Sequence, residues 1–189
     1  MKAPPTTTRP QIGAVPDVEY EALNRAATRI KNEGDWAAAI ALLREAKAQK
    51  GALYQDTRLA KFLQQAGFLD EALQEIQWLL DNSRAWAQAM FSHQPASVLL
   101  RQKAHWMSRI HGDAALICKR AKRPDLQEKH ESQRDAYWEL VKKADPVAIA
   151  DKAAQRKAWE SAKRAGPNAM QTYLSDAAVR IAANQSNGK

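Results

Sequence analysis

Two glycines constrain this chain more than any other feature. Gly34 and Gly67 lie 33 residues apart, and each interrupts a run rich in helix formers. Before Gly34, Leu23, Ala26, Ala27 and Ile30 fall at i, i+3, i+4 and i+7; after it come Trp36, Ala39, Ile40, Leu43 and Ala46. Before Gly67 stand Leu59, Ala60, Phe62 and Leu63, and after it Leu69, Ala72, Leu73, Ile76, Leu79 and Leu80. Apolar residues at that spacing make one stripe on an α-helix. The stretch from Tyr20 to Leu80 therefore reads as two helical hairpins in tandem, with Gly51 as a C-cap candidate between them.

The residues around each turn carry a resemblance. Gly34, Trp36, Ala39, Leu43 and Ala46, preceded by Leu23, Ala27 and Ile30, resemble the tetratricopeptide repeat. So do Gly67, Leu69, Ala72 and Ile76, preceded by Leu59, Ala60 and Leu63. That family stacks helix–turn–helix units of about 34 residues. The chain departs from the pattern at Leu79, where a small residue is usual, at Gly51, where a proline is usual, and at Ala27 and Ala60 in the first helices. Trp86, Ala89, Met90 and His93 have the spacing of a worn third unit. Stacked units bury their faces on neighbours, so residues 84–123, with Leu99, Leu100, Trp106, Met107, Ile110 and Leu116, are expected to pack on the repeats.

The expected fold is all-α: antiparallel tetratricopeptide-like hairpins, an α-solenoid fragment, followed by longer helices. Residues 1–17, with four prolines, form a flexible lead, and Asp17 is the N-cap candidate of a helix over 18–32. The hairpins occupy 18–82, a basic helical extension 83–184 and a disordered tail 185–189. Within the extension, Pro95 interrupts, Gly112-Asp113 offers a turn, Pro124 ends a helix, and Asp145-Pro146 is the expected start of another. Gly166-Pro167 stops that one, and Met170, Leu174, Ala177 and Ile181 make the last stripe.

Charge divides the chain. Residues 1–95 carry 11 basic and 11 acidic side chains, whereas 96–189 carry 18 and 10, so the whole net charge of +8 lies in the second half. A neutral scaffold joined to a basic half is suited to meeting a polyanion. The single cysteine, Cys118, allows no intramolecular disulfide. No apolar run reaches the roughly 18 residues of a membrane span, and the first residues lack the apolar core of a secretory signal. The expectation is a soluble intracellular protein, cytoplasmic and off the membrane.

Two candidate surfaces follow. The resemblance implies a concave groove lined by the first helix of each unit, here by Asn24, Thr28, Lys31, Arg58, Lys61 and Gln64. This set is polar to basic and lacks a carboxylate, which suits a protein segment of acidic character or a free C-terminal carboxylate. The second surface is basic: Arg101, Lys103, Arg109, Lys119, Arg120, Lys122 and Arg123, then Lys152, Arg156 and Lys157. Clustered Lys and Arg bind phosphates, and Trp106 or Trp159 could stack on bases.

The histidines, His93, His105, His111 and His130, show no metal-ligand spacing, and Cys118 lies about 10 Å of helix rise from His111. No phosphate-loop, dinucleotide or nucleophile-elbow motif occurs. The expected function is accordingly non-enzymatic, without cofactor or metal. It is a protein-interaction adaptor or assembly subunit of a larger complex using the groove, or else a helical protein that binds DNA or RNA through its basic half.

Overall fold

The computed structural model describes residues 18–186. The proline-rich lead with Asp17, and residues 187–189 of the expected tail, lie outside the described residues. The chain is about 89% helical, without strands among the described residues, and the all-α class holds. It divides into two compact units, residues 1–49 and 50–189.

The first unit contains α1 (Val18–Asn32) and most of α2 (Trp36–Lys50). Glu19 and Glu21 in the first turn of α1, and Arg29 and Lys31 in its last, complement the helix dipole. The Asp35 carboxylate accepts from the Ala38 amide at 2.9 Å and caps α2. Ala39, Ile40, Leu43 and Ala46 form the buried stripe that the periodicity predicts.

The second unit begins with a short 3-10 turn at Gly51–Leu53. It continues with α3 (Arg58–Gln65), α4 (Leu69–Phe91), α5 (Ala96–Arg120), α6 (Pro124–Ala165) and α7 (Pro167–Ser186). Helix α3 packs on α4 and α5, α4 on α5, α5 along α6, and α6 on α7. The core centres on α5, which buries Val98, Ala104, Trp106, Met107, Ile110, Ala114, Ala115, Ile117 and Cys118.

The boundaries after residue 80 differ from those expected. Helix α4 does not stop near 82 to let a third unit begin; it runs through to Phe91. Its buried Ala72, Ile76, Leu79, Ser83 and Trp86 keep one unbroken stripe across that point, so nothing favours a turn. With 23 residues it is longer than a two-helix unit of about 34 residues accommodates. Gly112-Asp113 makes no turn, because both lie within α5.

Pro146 does not open a helix either; it sits inside the 42-residue α6. A proline there forfeits one hydrogen bond and crowds the preceding turn. Packing on α5 from both sides holds the helix together: Val141 and Ala148 are buried around it, and Asp145 and Asp151 are tied to Arg101 and Ser97. Helix α7 takes in Gln185 and Ser186, the first residues of the expected tail.

One chemical device ends three helices. After α1, Asp35 N donates to Ile30 O at 3.2 Å and Gly34 N to Lys31 O at 3.0 Å. After α3, Phe68 N donates to Leu63 O at 2.9 Å and Gly67 N to Gln64 O at 3.1 Å. After α5, Arg123 N donates to Cys118 O at 2.9 Å and Lys122 N to Lys119 O at 3.1 Å. Each pair is a Schellman motif, which needs a left-handed residue at the position after the cap. Gly34 and Gly67 supply it at φ +94° and +93°, but Lys122 adopts φ 56° with a side chain. A left-handed non-glycine residue costs roughly 1–2 kcal/mol. Lys122→Gly should therefore raise the unfolding free energy by about 1 kcal/mol, and Gly67→Ala should lower it by a similar amount, both read from urea denaturation.

Candidate functional site

Helices α5 and α6 run antiparallel, and a groove follows their line of contact. Its α5 wall carries Val98, Arg101, Gln102, His105, Ser108, Arg109 and Gly112. Its α6 wall carries Arg134, Asp135, Trp138, Ala148, Ile149 and Lys152. Both sets follow the three-and-four spacing that keeps residues on one helix face. The ion pair between Arg101 and Asp145 bridges the two walls and divides the groove.

The upper compartment is a cleft of about 480 Å³, lined by His105, Ser108, Arg109, Gly112, Arg134, Asp135 and Trp138. A site of 300–1,000 Å³ is the usual size for holding a small group, by a rough rule. Ser108 Oγ donates to the Arg134 carbonyl at 3.1 Å, which fixes the floor. The Trp138 ring is 44% exposed and stands 6.0 Å, centroid to centroid, from His105. The Arg109 guanidinium lies 5.5 Å from the Trp106 ring, a cation–π contact that holds it on the opposite wall. Arg134 Nε binds Asp135 at 2.8 Å, and this hydrogen bond keeps the Asp135 carboxyl below its usual range.

Behind the cleft, His111 Nδ1 and His130 Nδ1 meet at 2.9 Å, and His111 stacks on Tyr137 at 5.6 Å. Two ring nitrogens can share a hydrogen bond only if one lacks a proton. Burial, then the neighbouring His130 and Lys129, lower the His111 pKa to about 4. Burial and Lys129 lower that of His130 as well. Both rings are neutral in the folded chain near pH 7, while in the unfolded chain they titrate near 6.5. Between those values the unfolded chain binds more protons, so stability is lost as pH falls from about 6.5 to about 4 and levels off below. The His111 contribution is about 3 kcal/mol at most. Urea denaturation between pH 7.5 and 4 should show this loss, and His111→Gln should make it distinctly shallower.

The basic candidates fall into separate places. Arg101 and Arg109 line the groove, and Lys152 closes its lower end. Arg156 and Lys157 are exposed one turn further along α6, where Arg156 pairs with Glu160 at 2.9 Å. Lys119, Arg120, Lys122 and Arg123 crowd the exposed corner between α5 and α6. There Arg123 is held by Asp125 at 3.1 Å, and no acidic group among the described residues pairs with the other three. Lys103 lies apart, in a hollow with Arg84, Leu99 and Asn184.

The expected stacking residues are partly exchanged. Trp106 is only 6% exposed and packs on Trp86 at 5.7 Å, so it cannot meet a base. Trp159, 43% exposed, can. Sequence reasoning did not single out Trp138, because its partners in the groove come from α5, some 30 residues earlier. A helical stripe on α6 joins the two: Trp138, Lys142, Ile149, Lys152, Arg156, Trp159 and Lys163. Successive members are three, four or seven residues apart, which places them on one face.

The residues assigned to a repeat groove lie in both units. Asn24 is buried at 2% exposure, and its carbonyl accepts from the exposed Thr28 hydroxyl at 2.9 Å. Asn24 is thus not on a binding face. Lys31 lies 5.8 Å from the Trp36 ring. In the second unit, Lys61 binds Asp113 of α5 at 2.7 Å, beside the buried Thr57 hydroxyl that donates to the same carboxylate. Arg58 lies 3.5 Å from Asp56, and Gln64 is half-buried. Asp113, distant in sequence, neutralises the cation that the groove needed.

Cys118 is fully buried, and burial raises its pKa, as befits a small core residue. Among the described residues no three His, Cys, Asp or Glu side chains come together to hold a metal ion, and no helix is long and apolar enough to cross a membrane. No protein-family model matches the chain, and no curated protein or solved structure matches it. The fold defines an all-α protein with a groove along its α5–α6 face.

Proposed function

We propose that the protein binds nucleic acid along the α5–α6 face. The observation that carries this reading is the exposed α6 stripe in which Trp138 and Trp159 flank Lys142, Ile149, Lys152 and Arg156, with Lys163 beyond. Cations attract phosphates and release their counterions, while exposed rings offer stacking surfaces. Arg109 adds charge from the α5 wall, and the Lys119–Arg123 corner extends the basic surface beyond the groove.

The sequence resemblance to tetratricopeptide repeats favours a protein partner instead, and one feature of the fold supports that class. Helix α7 buries no residue and leaves Leu174 and Val179 exposed. A neighbouring protein would cover such a face. The two readings separate in a pull-down with and without nuclease: loss of the captured material on nuclease treatment favours the first, retention the second.

The direct test is a mobility shift with DNA and RNA across a salt series. Binding should weaken steeply with salt. Charge reversal of Lys152, Arg156 and Lys163 together should reduce the slope of log affinity against log salt by about 2, since each lost phosphate contact removes roughly 0.7–0.9. These three side chains are exposed, so helicity should not change. No shift with any nucleic acid at low salt would remove the reading.

A further inference from the structure

We infer that the cleft between α5 and α6 is a stacking site for a single unpaired nucleobase joined to phosphate, with Trp138 as the platform. The inference rests on the nucleic-acid reading and narrows it from a polyanion to an unpaired strand or a free nucleotide.

Three features distinguish the cleft from the rest of the basic face. It is concave, at about 480 Å³, whereas the Lys119–Arg123 corner is an exposed helix end. It holds an aromatic ring with open surface beside two guanidinium groups, Arg109 and Arg134, on opposite walls. Finally, its aromatic platform is held from behind. Tyr137, the residue before Trp138, stacks nearly parallel on the buried His111, which hydrogen-bonds His130. The turn that carries Trp138 is thereby fixed before any ligand arrives, and less order has to be gained on binding.

The arrangement matches one chemistry. A flat ring stacks on the part of Trp138 left open beside its tilted contact with His105; its phosphate lies toward Arg109, which has no carboxylate partner among the described residues. Arg134 lines the same cleft and holds the Asp135 carboxylate there through Nε, which sets the orientation of its guanidinium and leaves it further donors. A base within a duplex is stacked on its neighbours and cannot enter. The face should consequently prefer a single strand, although a duplex offers a denser row of phosphates.

Fluorescence anisotropy with a labelled single-stranded oligonucleotide tests this. The comparison ligands are the matching duplex, an abasic strand of equal length and a free mononucleotide. The wild-type chain should bind the oligonucleotide at least ten-fold more tightly than the abasic strand or the duplex. Trp138→Ala should lose about ten-fold on the oligonucleotide, within the range that one stacked base supplies, and lose nothing on the abasic strand. Trp138→Phe should restore most of the loss. Circular dichroism of both variants keeps a folding defect distinct from a binding one.

Equal affinity for the oligonucleotide and the abasic strand would overturn the stacking site while leaving polyanion binding intact. So would unchanged binding by Trp138→Ala. Absence of binding to all ligands would overturn both readings. A mononucleotide that competes mole for mole with the oligonucleotide would retain the stacking site and assign it to a free nucleotide, removing the strand.

Discussion

Helix α5 is buried on two sides, and residues 50–186 are arranged around that fact. Helix α4 covers one side, where Trp106 meets Trp86, and α6 covers another, where Ala148 and Val141 are buried. Ala104, Ala114 and Ala115 keep the helix narrow enough for neighbours to approach closely. Burying side chains of the size of Ile110 and Ile117 stabilises by roughly 2 kcal/mol each. Toward α6, what remains in contact with water is a strip through His105, Arg109, Leu116 and Arg120, while Leu100 is exposed on another side. A helix so enclosed has little choice about where its polar residues go. The groove wall is the surface that the core leaves over.

The same enclosure explains why α6 can carry Pro146 without ending there. Its first half rests along α5, and the α5 side chains Arg101 and Ser97 bind carboxylates on either side of the proline. Beyond residue 155 the helix passes the start of α5, where Gln155 donates to the His93 carbonyl at 3.2 Å. The Asn184 amide of α7 donates to the Ser92 and Gln94 carbonyls at 3.0 Å each. The corner between α4 and α5 therefore anchors the last two helices through backbone groups that helix ends leave free.

Sequence patterns show which residues share a face, but not what the face meets. That difference separates what was legible from what was not. The limits of α1, the stripe of α2 and the turns at Gly34 and Gly67 follow from local chemistry, and all were legible. Helix α4 was read as two pieces because a repeat was expected to end there, although Leu79, Ser83 and Trp86 continue the stripe. Trp106 was read both as packing surface and as a stacking candidate, and Trp138 was not singled out, since each sits at helical spacing and only the third dimension sorts core from groove. The pairs Lys61–Asp113, Arg101–Asp145 and His111–His130 join residues 19 to 52 positions apart on different helices, beyond the reach of any local rule. The Schellman turn at Lys122 was illegible for another reason: glycine is its signal, and a lysine stands in its place.

Spacing along α6 restricts what could occupy the whole face. Trp138 and Trp159 are 21 residues apart, so helix rise separates them by about 31 Å. No mononucleotide spans that distance; an occupant touching both rings must be a chain. The acids near the path are already engaged: Glu139 with Lys142, Asp145 with Arg101, Asp151 with Ser97 and Glu160 with Arg156. Exposed pairs of this kind are worth about 1 kcal/mol or less, so a phosphate can replace the carboxylate on Arg156 at little cost. The stripe is then a row of cations that its own acids orient but hold weakly, with an aromatic surface toward each end. A polyanion with flat side groups meets both conditions, whereas an acidic protein helix would meet the cations and leave the rings uncovered.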